Sequence, residues 1–489
     1  MMKKKASCIL EKFKAADPVN CYLLIAAVIV FLDISFLRYT QALFELFLVI
    51  PCMLVIGILQ GRGIAPEHRK IFILPGIMAA CFLLVRMKHG IESARVYSAG
   101  LFAVVYLFAF PLATLLRDGE KKKALKIFAG AYVAATAMLT ADALLLILGH
   151  VPGILSVEVF WDGTRLWTFW HPNMTACHLF IGAVMCVSFL SEAKSRGTKL
   201  ALSVLLAMML TAMALTNSRT TIMATGGYLG ATLFFAAIKR GKKWFVPGVV
   251  VMLAVTIGFF LGAGRLYQAN CRHLEQKAAR QNAVQAVTEY AEPEAADIVV
   301  AEFEEPEAAV PLTDEPDTAN VQLHTSSPQG TLAEDLGSLN GRTAIWRAAF
   351  DLIRDTPTVL IWGAERTHRA IEPYTYMRPS HLHNAWIECL VGLGLGGFLV
   401  AVAFTVITLW NCAVVLLKHY RDPWKRNVAL LALCLLAISV LEPYLFYTTP
   451  FYTLYNMMFF LCAGYLVHWQ ESENRKILAV IRIKLFRKA

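Results

Sequence analysis

Three side chains able to act on a phosphate lie in polar segments that border apolar runs. They are Arg219, behind Asn217-Ser218; Arg342, behind Asn340-Gly341; and His383, followed by Asn384 at the mouth of an apolar run. A guanidinium is a planar fork that matches phosphate oxygens and stays charged at any relevant pH. An imidazole with an ordinary pKa near 6.5 takes up a proton near neutrality. Placed on one side of a membrane, the three fit chemistry on a phosphate-bearing lipid. Each also has a plainer reading. Arg219 can be a snorkelling interfacial arginine. Arg342 can be a solvated residue, although in a helical first turn it opposes the dipole. His383 can simply cap a helix. Arg347 and Arg354 are weaker candidates near Arg342.

Other polar residues flank these three. The stretch from Trp161 through Arg165 to His171-Pro172-Asn173 is rich in Trp, as a membrane belt is, but Trp also stacks on sugar faces. Arg86, Lys88 and Arg95 form a positive turn that suits an anionic headgroup. Trp346 lies four residues after Arg342. His381-x-His383, with His368 nearby, raises a metal site, yet no Cys or spaced acid completes the ligands, so no metal is expected. Glu388 lies inside an apolar run, where an acid usually faces a polar cavity. Gly392, Gly394, Gly396 and Gly397 sit too deep in that run for a nucleotide loop and read as close helix packing. The eleven Cys read as small apolar residues. No phosphate loop or dinucleotide fingerprint is present, so no cofactor is expected.

The elements that must position these residues are membrane helices. The 489 residues are 57% hydrophobic and 17% charged, with mean hydropathy +0.55, which soluble domains rarely show. About 20 apolar residues cross a bilayer as a helix. About twelve runs qualify, near 20–37, 40–59, 70–87, 97–116, 124–149, 171–191, 199–216, 220–238, 245–262, 385–416, 428–446 and 452–469. With the N-terminus in the cytoplasm, inside segments carry 30 of the 46 Lys and Arg, and short outside turns carry six. That bias places both termini inside. The +11 charge belongs to this topology signal, and no nucleic acid is implied.

The domain reading follows: a membrane domain over 1–262, a large extracytoplasmic loop over 263–383, a second membrane segment over 384–469 and a basic tail over 470–489. Within the loop, 281–335 reads as a disordered acidic insert, with eleven acids between Glu289 and Asp317 and no Lys or Arg. Residues 340–355 then read as an amphipathic helix ending before Pro357, with Ile345, Ala349, Leu352 and Ile353 on one face. Such a helix can rest at the membrane interface.

In this order the motifs resemble the O-antigen ligase and polymerase superfamily. The resemblance rests on His383-Asn384, nine residues and then Gly394-x-x-Gly397. It rests also on Gly341-Arg342-x-x-x-Trp346, on Asn217-Ser218-Arg219 and on His171-Pro172-Asn173. It covers most of the chain from residue 160 onward, and the acidic insert departs from it. It implies an all-α polytopic membrane protein of about 12 transmembrane helices with one large extracytoplasmic loop, a GT-C-like glycosyltransferase. The implied donor is a glycan on undecaprenyl pyrophosphate, and the acceptor a sugar hydroxyl on a glycan or glycolipid. Transfer would be metal-independent, inverting, and on the outer face of the bacterial cytoplasmic membrane. Arg219, Arg342 and His383 would be catalytic, and Asn384, Arg165, Asn173, Trp346 and Arg86 would bind substrate. A flippase of lipid-linked glycan is the alternative; it would carry its charges within the spans.

Overall fold

Four of the described helices begin where a side chain caps the first turn: His171, Ser195, Asn384 and Asp422. In this computed structural model the described residues are 27–28, 31–32, 73–89, 118–147, 160–161, 165–167, 171–290, 341–364, 366–376, 379, 381–446 and 454–467. The first helices are α1 (Ile73–His89) and α2 (Asp118–Ile147). A two-residue antiparallel ladder follows, β1 (Phe160–Trp161) on β2 (Leu166–Trp167), with Phe160 opposite Trp167. Helix α3 (Pro172–Glu192) opens with proline, whose missing N–H costs nothing in a first turn. Ser195 caps α4 (Arg196–Leu215) through the Thr198 amide. A turn with Asn217 at φ +50° leads into α5 (Arg219–Ile238), and α6 runs from Phe245 to Tyr290. After the acidic segment come α7 (Arg342–Asp355), the short α8 (Val359–Trp362) and α9 (Thr367–Ile371), and then α10 (Ala385–Lys418). Asp422 caps α11 (Pro423–Ser439), and α12 (Leu454–Val467) follows.

The chain is a predominantly helical, polytopic membrane protein. Among the described residues, six helices are long and apolar enough to cross a membrane: Leu125–Leu146, Pro172–Glu192, Arg196–Leu215, Arg219–Ile238, Lys242–His273 and Ala385–Lys418. Burial ranks them. The apolar window of α3 is 78% buried and that of α6 only 6%, so α3 is a central post and α6 leaves Val246, Val250, Leu253, Ile257 and Leu261 exposed. Helix α3 packs on α2, α4 and α11, and α10 packs on α1, α8 and α11. The expected spans 40–59 and 97–116, nearly all of 20–37, and the tail 470–489 lie outside the described residues.

The chain divides into two compact units, one of 1–269 with 344–489 and one of 270–343. Of the second, the structure describes 270–290 and 341–343, all of them helical.

Three boundaries differ from the sequence reading. Helix α6 continues to Tyr290, so the segment read as the extracytoplasmic loop from 263 starts as helix, and the insert read as disordered from 281 is helical as far as Tyr290. Residues 265–290 are mostly Ala, Gln, Arg, Glu and Leu, which are strong helix formers, and the first proline is Pro293. The expected span 428–446 stops as a helix at Ser439, short of Glu442-Pro443. Finally, the apolar face of α7 is covered by protein instead of resting on lipid. Ile345, Ala348, Ala349 and Leu352 form a small core with Val359, Ile371, Leu382 and Val391.

Candidate active site

His383 stands at the junction where the polar segment enters α10. Asn384 is the N-cap of that helix, and its side-chain oxygen accepts from the amides of Trp386 at 2.9 Å and Ile387 at 3.0 Å. The carbonyl end of this carboxamide is thus engaged by the helix. His383 itself has φ +52°, in the left-handed region that few side-chain-bearing residues adopt. The neighbouring residue explains how this backbone is held. Leu382 is clamped at both main-chain atoms. Its N–H donates to Glu388 Oε2 at 2.7 Å, and its carbonyl accepts from Trp346 Nε1 at 3.0 Å. Glu388 is buried in the first turn of α10, and its other oxygen accepts from the Thr367 hydroxyl. Trp346 on α7 and Thr367 on α9 thereby fasten the polar segment to the base of α10.

Behind this junction α10 is broken at Gly394, with φ +69°. The turn after α8 presses into the break, and the Ala364 amide donates to the Val391 carbonyl at 2.6 Å. A Cβ on Gly363 would come within 2.3 Å of the Gly392 oxygen, and one on Gly394 within 2.7 Å of the Leu360 oxygen. The glycines near 394 therefore serve close approach of main chains.

The expected outer-loop residues converge on the same junction. Arg165 Nε donates to the Thr216 carbonyl at 2.7 Å, in the turn that leads to Arg219, and Arg165 Nη2 donates to Asn173 Oδ1 at 2.8 Å. Asn173 Nδ2 donates to Glu442 Oε1 at 2.9 Å, and Glu442 Oε2 lies 4.0 Å from His383 Nδ1. Arg165, Asn173, Glu442 and His383 thus form one polar line joining the ladder, the start of α3, the segment after α11 and the start of α10. Glu442 is 2% exposed. Its segment is pinned by Asn456, whose side chain bonds the Tyr444 carbonyl at 2.7 Å and the Phe446 amide at 2.9 Å. Arg219 is the first residue of α5, with an exposed side chain. Arg342 is the first residue of α7 and belongs to the other unit. Arg86 lies on α1, and its side chain falls outside the described residues.

Residues 204–402 match the family model described as O-antigen ligase. Over that segment the chain is similar to O-antigen ligases. The ligase segment is less than half of the chain. It contains Arg219, Arg342, Trp346, His383 and Asn384, and leaves Arg165, Asn173 and Glu442 outside. No curated protein matches the chain.

Sequence reasoning missed Glu442. A signal was present: an acid followed by proline closes an otherwise apolar run, where a carboxylate is expensive without a partner. The rings of His381 and His383 meet edge to face, centroids 4.0 Å apart. Among the described residues no three His, Cys, Asp or Glu side chains gather as a metal site.

Proposed function

We propose that the protein transfers a glycan from undecaprenyl pyrophosphate to a sugar hydroxyl, on the outer face of a bacterial cytoplasmic membrane. The match of residues 204–402 to the O-antigen ligase family supports surface-polysaccharide assembly in general. The observation that carries the finer reading is the His383 junction. There an imidazole, 27% exposed, is held on a clamped backbone at the entry to a membrane helix, and is linked through Glu442, Asn173 and Arg165 to the turn that leads to Arg219. Such fixation is what a general base requires, since proton transfer needs a fixed donor–acceptor geometry.

In this reading the acceptor hydroxyl attacks the anomeric carbon. The new carbon–oxygen bond forms as the bond to the pyrophosphate oxygen breaks, and the bonding pair leaves with the lipid pyrophosphate. His383 takes the hydroxyl proton. Arg219 and Arg342 neutralise charge developing on the leaving phosphates, as forked donors do best. Attack opposite the leaving group gives inversion. The bond energy resides in the donor, so no nucleotide is consumed.

The test uses purified protein in liposomes with an undecaprenyl-pyrophosphate oligosaccharide and no added metal or nucleotide. Wild type should form glycosidic bonds and release lipid pyrophosphate. His383→Asn should lose on the order of 10²–10⁴-fold in rate, the share of a general base. Asparagine is chosen because it tolerates the left-handed backbone. Arg219→Ala and Arg342→Ala should also lose transfer. A wild type that moves the lipid across the bilayer and makes no bond would overturn the reading in favour of a flippase.

A further inference from the structure

We propose that Glu442 is a positioning residue for His383, holding the imidazole through Nδ1 so that Nε2 faces the acceptor hydroxyl. This rests on the reading of His383 as general base.

The argument starts from burial. A carboxylate that is 2% exposed in an apolar surround persists only with partners. Glu442 has Asn173 on one oxygen, which fixes the carboxylate plane and leaves the second oxygen directed at His383 Nδ1, 4.0 Å away. Asn173 is itself oriented by Arg165, so its amide points N–H to the carboxylate and C=O to the guanidinium. The carboxylate therefore has one defined position, supported from the α3 start and from the ladder. A proton added at Nε2 makes an imidazolium. The facing carboxylate then gains Coulomb attraction in a poorly screened place, and the 4.0 Å separation closes toward a hydrogen bond. The proton gained from the acceptor is passed to water once the lipid pyrophosphate has left.

Several groups face this pair among the described residues. His381 touches the His383 ring. Cys177 on α3 lies near Glu442. Arg165 stands behind Asn173, and the Glu388 carboxylate holds the preceding amide. His368 on α9 is held below the ordinary histidine value by burial and then by its neighbour Arg369. Its titration therefore falls on the acid side of an ordinary imidazole.

The sign of the pH effect follows. A base works when unprotonated, so kcat rises with pH through the His383 pKa. A facing carboxylate favours the imidazolium and raises that pKa. Removing its charge lowers the pKa and moves the acid limb of the kcat profile to lower pH.

The experiment compares wild type, Glu442→Gln, Glu442→Asp, His368→Asn and His383→Asn in the same liposome assay across pH. Glu442→Gln should lose about ten- to a hundredfold in kcat with donor KM unchanged, a fraction of the general-base effect, and its acid limb should move to lower pH. Glu442→Asp keeps the charge with a shorter reach, so it should lose rate while the limb stays. His368→Asn should leave the limb in place. A Glu442→Gln limb that does not move, or a change in KM alone, would overturn the proposal. If Glu442→Gln fails to fold by gel filtration, an aspartate variant with wild-type kcat would do the same. Full activity in His383→Asn would instead remove the general-base reading on which the proposal rests.

Discussion

At the scale of single residues, the candidate site is built from side chains that hold one another as much as from side chains that face a substrate. Asn384, Trp346, Arg165 and Asn173 read as substrate contacts through the resemblance to the ligase superfamily. In the fold Asn384 caps α10, Trp346 holds the Leu382 carbonyl, and Arg165 and Asn173 support Glu442. The types were legible; their engagements were not. Asn173 and Glu442 are 269 residues apart, and nothing local marks such a pair. Trp346→Phe tests one engagement. It keeps an aromatic ring, smaller than the indole, and deletes the donor to Leu382, whose hydrogen bond alone contributes about 1 kcal/mol to stability. Because that carbonyl precedes His383, kcat should fall several-fold more than donor KM changes. Thermal melting and initial rates on one preparation check both.

At the scale of elements, apolar runs announced their helices well and their ends less well. The run from Ala385 carries its own cap, Asn384, and the observed helix begins there. Its interior break at Gly394 was hidden, since a hydropathy run does not distinguish one rod from two. The continuation of α6 to Tyr290 was hidden for the opposite reason, as polar helix formers extend an apolar span without changing its pitch. The break is where α10 receives the turn after α8. Gly394→Ala places a side chain in the left-handed region and against the Leu360 oxygen. The strain alone costs on the order of 1–2 kcal/mol, and the displaced turn adds to it. The variant should melt lower than wild type and transfer more slowly, while Gly76→Ala, which meets nothing within 4 Å, should do neither.

At the scale of the whole molecule, composition alone marked a membrane protein, and among the described residues six helices have the length and apolarity to cross a bilayer. The acidic stretch with Pro293, Pro306, Pro311 and Pro316 departs from the motifs of the ligase superfamily, and none of the site residues falls in it. Shortening a connection changes its closure entropy by only about 0.6 kcal/mol per halving of length. Deleting 294–333 should therefore leave transfer near the wild-type rate, and a loss of activity in a correctly inserted variant would give the stretch a role in the reaction. The meeting of Gly363 with the Gly394 break has a different reach. Both obstacles to a side chain there are main-chain atoms, which no substitution elsewhere can shrink. A change at one position has no compensating change at the other. These two segments of chain, in close contact beside the site, would thus leave no correlated substitutions, and their contact would stay silent in any comparison of related sequences that searches for paired change.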